Sequence, residues 1–236
     1  MSGAAFFGEG LPYCDISELK GKLIVIEGTD GVGRSSQVEE LKTWLEFKGF
    51  GVHTTGLARS PLMGKAIERA KLGHNLNVLT YSLLYLADFA DRLEHEVVPA
   101  LRAGFIVLAD RYMYTSIARA VVRGADRDWV RRCFSIALRP DLVIYLKIRV
   151  KELVPRVVSG WQARSGEGMD YWESGMDLGL GGDLYDSFVR YQKKILAEFD
   201  KMNEEFGFSE VDASRSFEET SERCKQLVLP VIENAG

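Results

Sequence analysis

The sequence predicts an α/β protein built on a doubly wound, five-stranded parallel sheet with helices on both faces. Three observations carry this expectation. Apolar runs of strand length alternate with helix-patterned stretches along most of the chain. The first run, Leu23-Ile24-Val25-Ile26, is continuously apolar and reads as a buried parallel strand. It breaks at Gly28, and a glycine-spaced turn leads into a helix pattern from Val38 to Phe47.

In chain order the strands fall at Lys22–Glu27, Gly51–Thr55, Phe105–Ala109, Leu142–Ile148 and Phe208–Val211. Helices fill the intervals: Ser36–Lys48, Leu62–Leu72, a long one over Leu79–Leu101, Arg127–Ala137, Leu184–Asn203 and Phe217–Asn234. Residues 1–20 read as an extension outside the core, and 21–236 as one domain. From Ser159 to Asp183 seven glycines stand among few apolar anchors. A loop of that kind in a compact domain is a moving lid or a variable surface insertion. Its place after the fourth strand favours a lid over residues 159–183.

The bulk properties exclude several classes. Lys and Arg number 30 against 34 acidic residues, a net charge of −4, which argues against a surface that coats nucleic acid. Bound phosphates must then be held by a local basic pocket. Cys14, Cys133 and Cys224 have neither paired nor metal-ligand spacing, and the three histidines do not cluster, so no zinc site is expected. No segment reaches the ~18 uninterrupted apolar residues of a membrane span. The N-terminal residues carry acids and no basic stretch, unlike a signal peptide, so a cytoplasmic protein is expected.

Gly28 to Ser35 matches the phosphate-loop spacing G-x-x-x-x-G-K-[ST], with Arg34 in the lysine's place. Gly28, Gly31 and Gly33 let backbone N–H groups turn inward around phosphate oxygens, and the following helix adds its positive end. Gly28, Gly31, Val32, Gly33, Arg34, Ser35 and Ser36 are therefore candidate ATP ligands. Ser35 suits the Mg²⁺ that bridges the phosphates. Arg34 keeps the lysine's charge but not its shape, so nucleotide binding is a firmer expectation than catalytic rate.

Other chemistry lies at strand ends. Asp110-Arg111-Tyr112 follows the third strand and Arg59 the second, at the carboxyl edge where open α/β sheets bind ligands. Asp110 beside the phosphate loop suits Mg²⁺ or its water shell, and Arg111 a second phosphate; a surface ion pair is the plainer alternative. Tyr85, Asp88, Asp91, Arg92 and His95 share one face of the long helix. That face is either a solvated stripe or a pocket wall.

These pieces together resemble the thymidylate kinase family of phosphate-loop nucleoside-monophosphate kinases. IEGTDGVGRSSQ, ARSPLMGKAI, ADFADR, VLADRYMYTSIA, RPDLVIYL and VDASRSFEE occur in the family's order and roughly its spacing. The resemblance implies that Asp30 meets the sugar hydroxyl of the monophosphate and that Arg59 and Arg111 grip its phosphate. It implies that Arg92 contacts the pyrimidine, Asp110 supports Mg²⁺, and Ala213, Ser214 and Arg215 lie by the adenine of ATP. With Gly31 inside the loop, the catalytic lid arginine would be Arg164 or Arg156. The chain also departs from the family. Asp88 stands where a base-stacking Phe is usual, Arg119 and Ala120 replace an aromatic and a polar residue, and Lys147 replaces an Asp ending the fourth strand. Asp88 is expected to pair with Arg119.

The resemblance thus implies a Mg²⁺-dependent transfer of the ATP γ-phosphoryl to a nucleoside monophosphate, dTMP before others, by a homodimer. Arg34, Asp110 and Arg164 would be catalytic, and Asp30, Arg59, Arg92, Arg111 and Arg119 would hold the acceptor. The alternatives are a related phosphotransferase with another acceptor and a weakly catalytic nucleotide-binding protein.

Overall fold

The computed structural model describes residues 5–73, 76–163 and 171–233. Strands β1 (Lys22–Gly28), β2 (Val52–Gly56), β3 (Ile106–Asp110), β4 (Leu142–Lys147) and β5 (Ser209–Asp212) form one parallel sheet in the order β2-β3-β1-β4-β5. The helices are α1 (Arg34–Phe47), α2 (Gly64–Leu72), α3 (Val78–Arg92), α4 (Val98–Arg102), α5 (Met113–Val122), α6 (Arg127–Cys133), α7 (Val150–Ala163), α8 (Leu184–Phe206) and α9 (Phe217–Glu233).

The two faces of the sheet divide by strand alternation. Leu23, Val25, Val107, Ala109 and Tyr145 pack under α3, α5 and α8. Ile24, Ile26, Ile106, Leu108, Ile144 and Leu146 pack under α1, α7 and α9. The central strands are therefore apolar on both faces, as the uninterrupted runs predict.

Two helices were not expected, α5 and α7. In α5 every residue from Met113 to Ala120 is buried, so it has no polar stripe and no amphipathic period. In α7 the β-branched residues and an internal Pro155 read as a break, yet the helix continues through it to Ala163. The long third helix also differs. Pro99 cannot donate to the carbonyl four residues back, and the helix widens into a π turn over Leu93–Val97 between α3 and α4.

The N-terminal segment corrects an expectation. Residues before Lys20 are not outside the core: Leu11 is 8% exposed and belongs to the cluster under α5 and α8. Phe6 bridges antiparallel to Leu138, and Phe7 meets Tyr114 and Phe206 edge-on. Three unpaired apolar side chains would otherwise face water, and the chain end buries them against an apolar gap.

The stretch 159–183 divides into parts. Its first residues end α7, and 164–170, with Arg164, lie outside the described residues. The part after them is packed. Trp172 is buried and donates from its indole to the Lys71 carbonyl at 2.9 Å. Arg123, just past the end of α5, pairs with Asp177 at 2.8 Å and stacks against Tyr81, Trp172 and Tyr191. Gly175 has φ +68°, and a Cβ there would overlap the Tyr191 ring. Glycine here serves close approach, so a high glycine content did not mean a loose loop.

Leu11→Ala should lower stability by about 2–3 kcal/mol, the range for truncating a buried leucine. Urea denaturation measures it. An unchanged midpoint would mean that the segment adds nothing to the core.

Candidate functional site

The carboxyl ends of β1, β2 and β3 meet the N-terminus of α1, and the site is built there. Gly33 precedes α1 in a left-handed conformation with no side-chain cap, which leaves the first helical N–H groups open toward the loop interior. A Cβ on Gly31 would overlap Val157 of α7, so only glycine lets α7 close over the loop. Val32, Gly33 and Ser36 line a cavity of about 180 Å³ whose far wall is Ala213, Arg215 and Phe217. Arg156 reaches the same wall and donates to the carbonyls of Ala213 at 2.7 Å and Ser214 at 3.3 Å. Gly28 frames the loop, and Ser214 lines a neighbouring cleft instead.

On the other side of the loop lies a polar cavity of about 210 Å³. Arg34, Arg59, Arg111, Arg119 and Lys71 supply its cations, and Asp30, Asp110 and Glu173 its carboxylates. The sequence-predicted acceptor residues Asp30, Arg59, Arg111 and Arg119 all meet here. Asp30 stands between two arginines, paired with Arg111 and accepting from Arg119 at 2.9 and 3.1 Å. Burial pushes its carboxyl up, but the Arg111 and Arg119 charges more than offset this and hold it below the ordinary range. The Glu173 carboxyl is raised, first by the Asp30 charge and then by burial.

Asp110, ending β3, lines the polar cavity together with Arg34 and Ser35, whose chain neighbours Gly33 and Ser36 line the loop cavity. It accepts from Ser35 Oγ at 2.6 Å and from Arg34 Nε at 3.0 Å, and Arg59 approaches to 3.5 Å. Burial raises its carboxyl, and Arg34 and the Ser35 bond bring it below the usual value. A carboxylate beside a serine hydroxyl is a hard oxygen pair that suits Mg²⁺, which keeps waters and takes its remaining ligands from phosphates. Among the described residues there is no cluster of three acidic, Cys or His side chains to hold a metal without a nucleotide. Arg34 is turned inward: its Nη1 donates to the carbonyls of Gly28, at 2.7 Å, and Thr29. The guanidinium braces the loop as well as lining the acceptor cavity.

Two expectations about α3 change. Asp88 does not pair with Arg119. It pairs with Arg92 one turn along, at 2.9 Å, while α5 directs Arg119 to Asp30. Arg92 is 1% exposed, bonded to Asp88, and does not line the acceptor cavity. Its Nε donates to Asp88 at 3.0 Å, and its Nη2 lies beside the same carboxylate with no hydrogen-bond partner of its own.

Sequence reasoning missed Glu27, Lys71 and Glu173, whereas Tyr85, read on the possible pocket wall of the long helix, does line the polar cavity. Glu27 had a signal, a lone acid ending an apolar central strand. It is fully buried, accepts from the amides of Tyr112 at 2.9 Å and Thr115 at 3.3 Å, and bonds the Thr115 hydroxyl at 2.5 Å. These bonds seat α5 and with it Arg111, whose φ is +75°. Burial raises the Glu27 carboxyl above its ordinary value. Lys71 and Glu173 converge only through the fold, and no spacing announces them.

Asp30 carries a pH dependence. Its carboxyl lies below the unfolded value, so its stabilisation is complete above about pH 4 and is lost as the pH falls below that. Asp30→Asn removes it. The gap in urea midpoint between wild type and variant should be wide at pH 7 and close below about pH 4. A gap independent of pH would mean the Asp30–arginine pairs contribute nothing.

Known proteins are similar to this chain in sequence. The family model described as thymidylate kinase matches residues 26–170. The chain is 33% identical over 218 residues to a probable thymidylate kinase 2 of Saccharolobus solfataricus, covering 92% of this chain and 100% of that one. It is 30% identical over 219 residues to a probable thymidylate kinase of Pyrococcus abyssi, covering 89% and 97%. A probable thymidylate kinase of Pyrococcus horikoshii is 37% identical over 145 residues, 59% of this chain and 71% of its own. The chain belongs to the thymidylate kinase family.

Proposed function

We propose that the protein transfers the γ-phosphoryl of ATP to dTMP, forming dTDP. The observation that carries this is a pair of cavities that adjoin along the phosphate loop, Gly33 and Ser36 lining one and Arg34 and Ser35 the other. One lies along the phosphate loop, and the other holds five cations against three carboxylates. That surplus of two positive charges suits the dianion of a phosphate monoester.

No covalent intermediate is needed, because phosphoryl transfer depends on positioning and on neutralising charge. The α1 N-terminus and the loop amides hold the donor phosphates. Arg59 and Arg111 align the acceptor phosphate, displacing the Asp30 carboxylate from part of its contact with Arg111. Arg119 and Asp30 face the acceptor's sugar, and Arg156 lies closest to the adenine side. Ser35 and Asp110 are the residues that would hold a Mg²⁺ arriving with the nucleotide, which would supply charge neutralisation, and Asp110 would give up its bond to Arg34 to do so. The protein works in the cytoplasm as a homodimer. Leu72, Leu79 and Leu83 leave an exposed apolar face on α2 and α3 for the second copy.

A coupled ADP-release assay over a panel of nucleoside monophosphates tests the reading, with dTMP expected to give the highest turnover over Michaelis constant. No turnover with any monophosphate would overturn it. Arg111→Ala should raise the KM for dTMP and lower kcat, each by about tenfold, while the KM for ATP changes little. Normal dTMP kinetics in that variant would leave Arg111 with only a structural role, as the buried partner of Asp30.

One observation favours a second reading, a nucleotide-binding protein of weak activity. The Arg34 guanidinium directs its Nε and Nη1 donors at Asp110, Gly28 and Thr29. Arg34→Lys separates the two. A rise in turnover would mean that the arginine restrains catalysis, and a fall that its bracing contributes to it.

A further inference from the structure

Among the described residues, the two non-glycine positions with positive φ are Ala58, at +59°, and Arg111, at +75°. Both adjoin the acceptor phosphate: Arg111 is one of its arginines and Ala58 precedes the other. Left-handed backbone in such residues costs about 1–3 kcal/mol and persists only where surrounding bonds impose it. Glu27 imposes it at Arg111. At Ala58 the bonds come from α3, and from a residue that departs from the family's pattern.

Asp88 is fully buried and reaches from α3 under the loop after β2. Its Oδ2 accepts from the Ala58 amide at 3.0 Å, and its Oδ1 from the Ser60 amide at 2.9 Å. The two bonds flank Arg59 on both sides. One turn away, Asp91 accepts from the Ser60 hydroxyl, which in turn accepts from the amides of Leu62 at 3.1 Å and Met63 at 2.9 Å. Four amides of this loop are thus tied to two carboxylates of α3, directly or through Ser60. The Arg59 side chain itself is 57% exposed, and its guanidinium lies over Gly56.

We propose that Asp88 is a positioning residue for phosphoryl transfer. It holds Ala58 in its left-handed conformation and so aims Arg59 at the acceptor phosphate. Arg92 neutralises Asp88 and is withdrawn from base contact by doing so. The wall that would stack and read a base in the family's pattern here anchors a phosphate ligand, and acceptor choice rests on the phosphate grip and the polar cavity. The proposal rests on the reading of Arg59 as a ligand of the acceptor phosphate.

Asp88→Asn keeps the size of the side chain but turns one acceptor into an NH₂ group facing a backbone N–H. The KM for dTMP should rise about tenfold or more while the KM for ATP stays within about twofold. In an Arg59→Ala background the same substitution should change the dTMP constant by less than about twofold, since a residue acting through Arg59 has nothing left to position. Adding Ala58→Gly to Asp88→Asn should restore about threefold of the loss, because glycine adopts the left-handed conformation without strain. An unchanged dTMP constant in Asp88→Asn, or an equal effect with and without Arg59, overturns the proposal.

Hydrogen exchange on the wild type decides the matter even where the variant fails to fold. The Ala58 and Ser60 amides should be protected like those of α3, and exchange at the rate of an open loop overturns the role. This measurement needs no turnover, so a wild type inactive on every monophosphate would refute the kinase reading without being mistaken for a failure of the Asp88 anchor.

Discussion

The carboxylate of Asp110 is the constraint around which the site is arranged. β3 pairs with both β1 and β2, so its last residue falls level with Ile26, just before the phosphate loop, and with Gly56, just before the Arg59 loop. From that one point it reaches the Ser35 hydroxyl, the Arg34 guanidinium and Arg59. The loop cavity and the polar cavity adjoin through the same turn, Gly33 and Ser36 lining one and Arg34 and Ser35 the other. In-line transfer needs such proximity, because reacting oxygens must approach to about 3–3.5 Å without water between them.

Holding that geometry requires backbone that an unconstrained chain would not adopt. The strain is concentrated at Ala58 and Arg111, and each is held by a buried carboxylate from a neighbouring element. The two devices differ in kind. Glu27 belongs to β1 and seats the start of α5, so its hold on Arg111 is part of the central sheet. Asp88 belongs to α3, and its hold on Arg59 depends on how α3 sits over β2. A displacement of α3 would move Arg59 while leaving Arg111 in place. The acceptor grip thus has one rigid jaw and one that follows a helix.

The sheet was legible in the sequence because a parallel strand buried on both faces has little alternative reading. The phosphate loop was legible because glycine spacing and a strand–helix context coincide in KLIVIEGTDGVGRSSQ. What escaped was of two kinds. α5 and α7 lack a period, one because it is buried all round and the other because Pro155 and β-branched residues mask it. The partners of charged side chains escaped for another reason. Asp88 and Arg92 were visible as neighbours on a helix, but spacing carries no information on burial, and burial turns a solvated pair into an anchor. Arg119 finds Asp30 across 89 residues of sequence, a distance only the fold can close.

The same charges set how tightly the site can hold an anion. Every arginine that faces the acceptor cavity already has a carboxylate: Arg34 and Arg59 share Asp110, and Arg111 and Arg119 share Asp30. These pairs satisfy the guanidinium groups while the cavity is empty, which matters because an unpaired buried charge is costly. An incoming phosphate therefore gains only the difference between its own contacts and the carboxylates it displaces. On the proposed function, the net gain on binding would be smaller than the number of arginines suggests. The transferring phosphoryl group spreads charge in the transition state beyond what the monophosphate carries on arrival. Arginines with carboxylates to exchange can follow that change, which places more of their interaction energy where it accelerates transfer and less where it would only tighten the ground state.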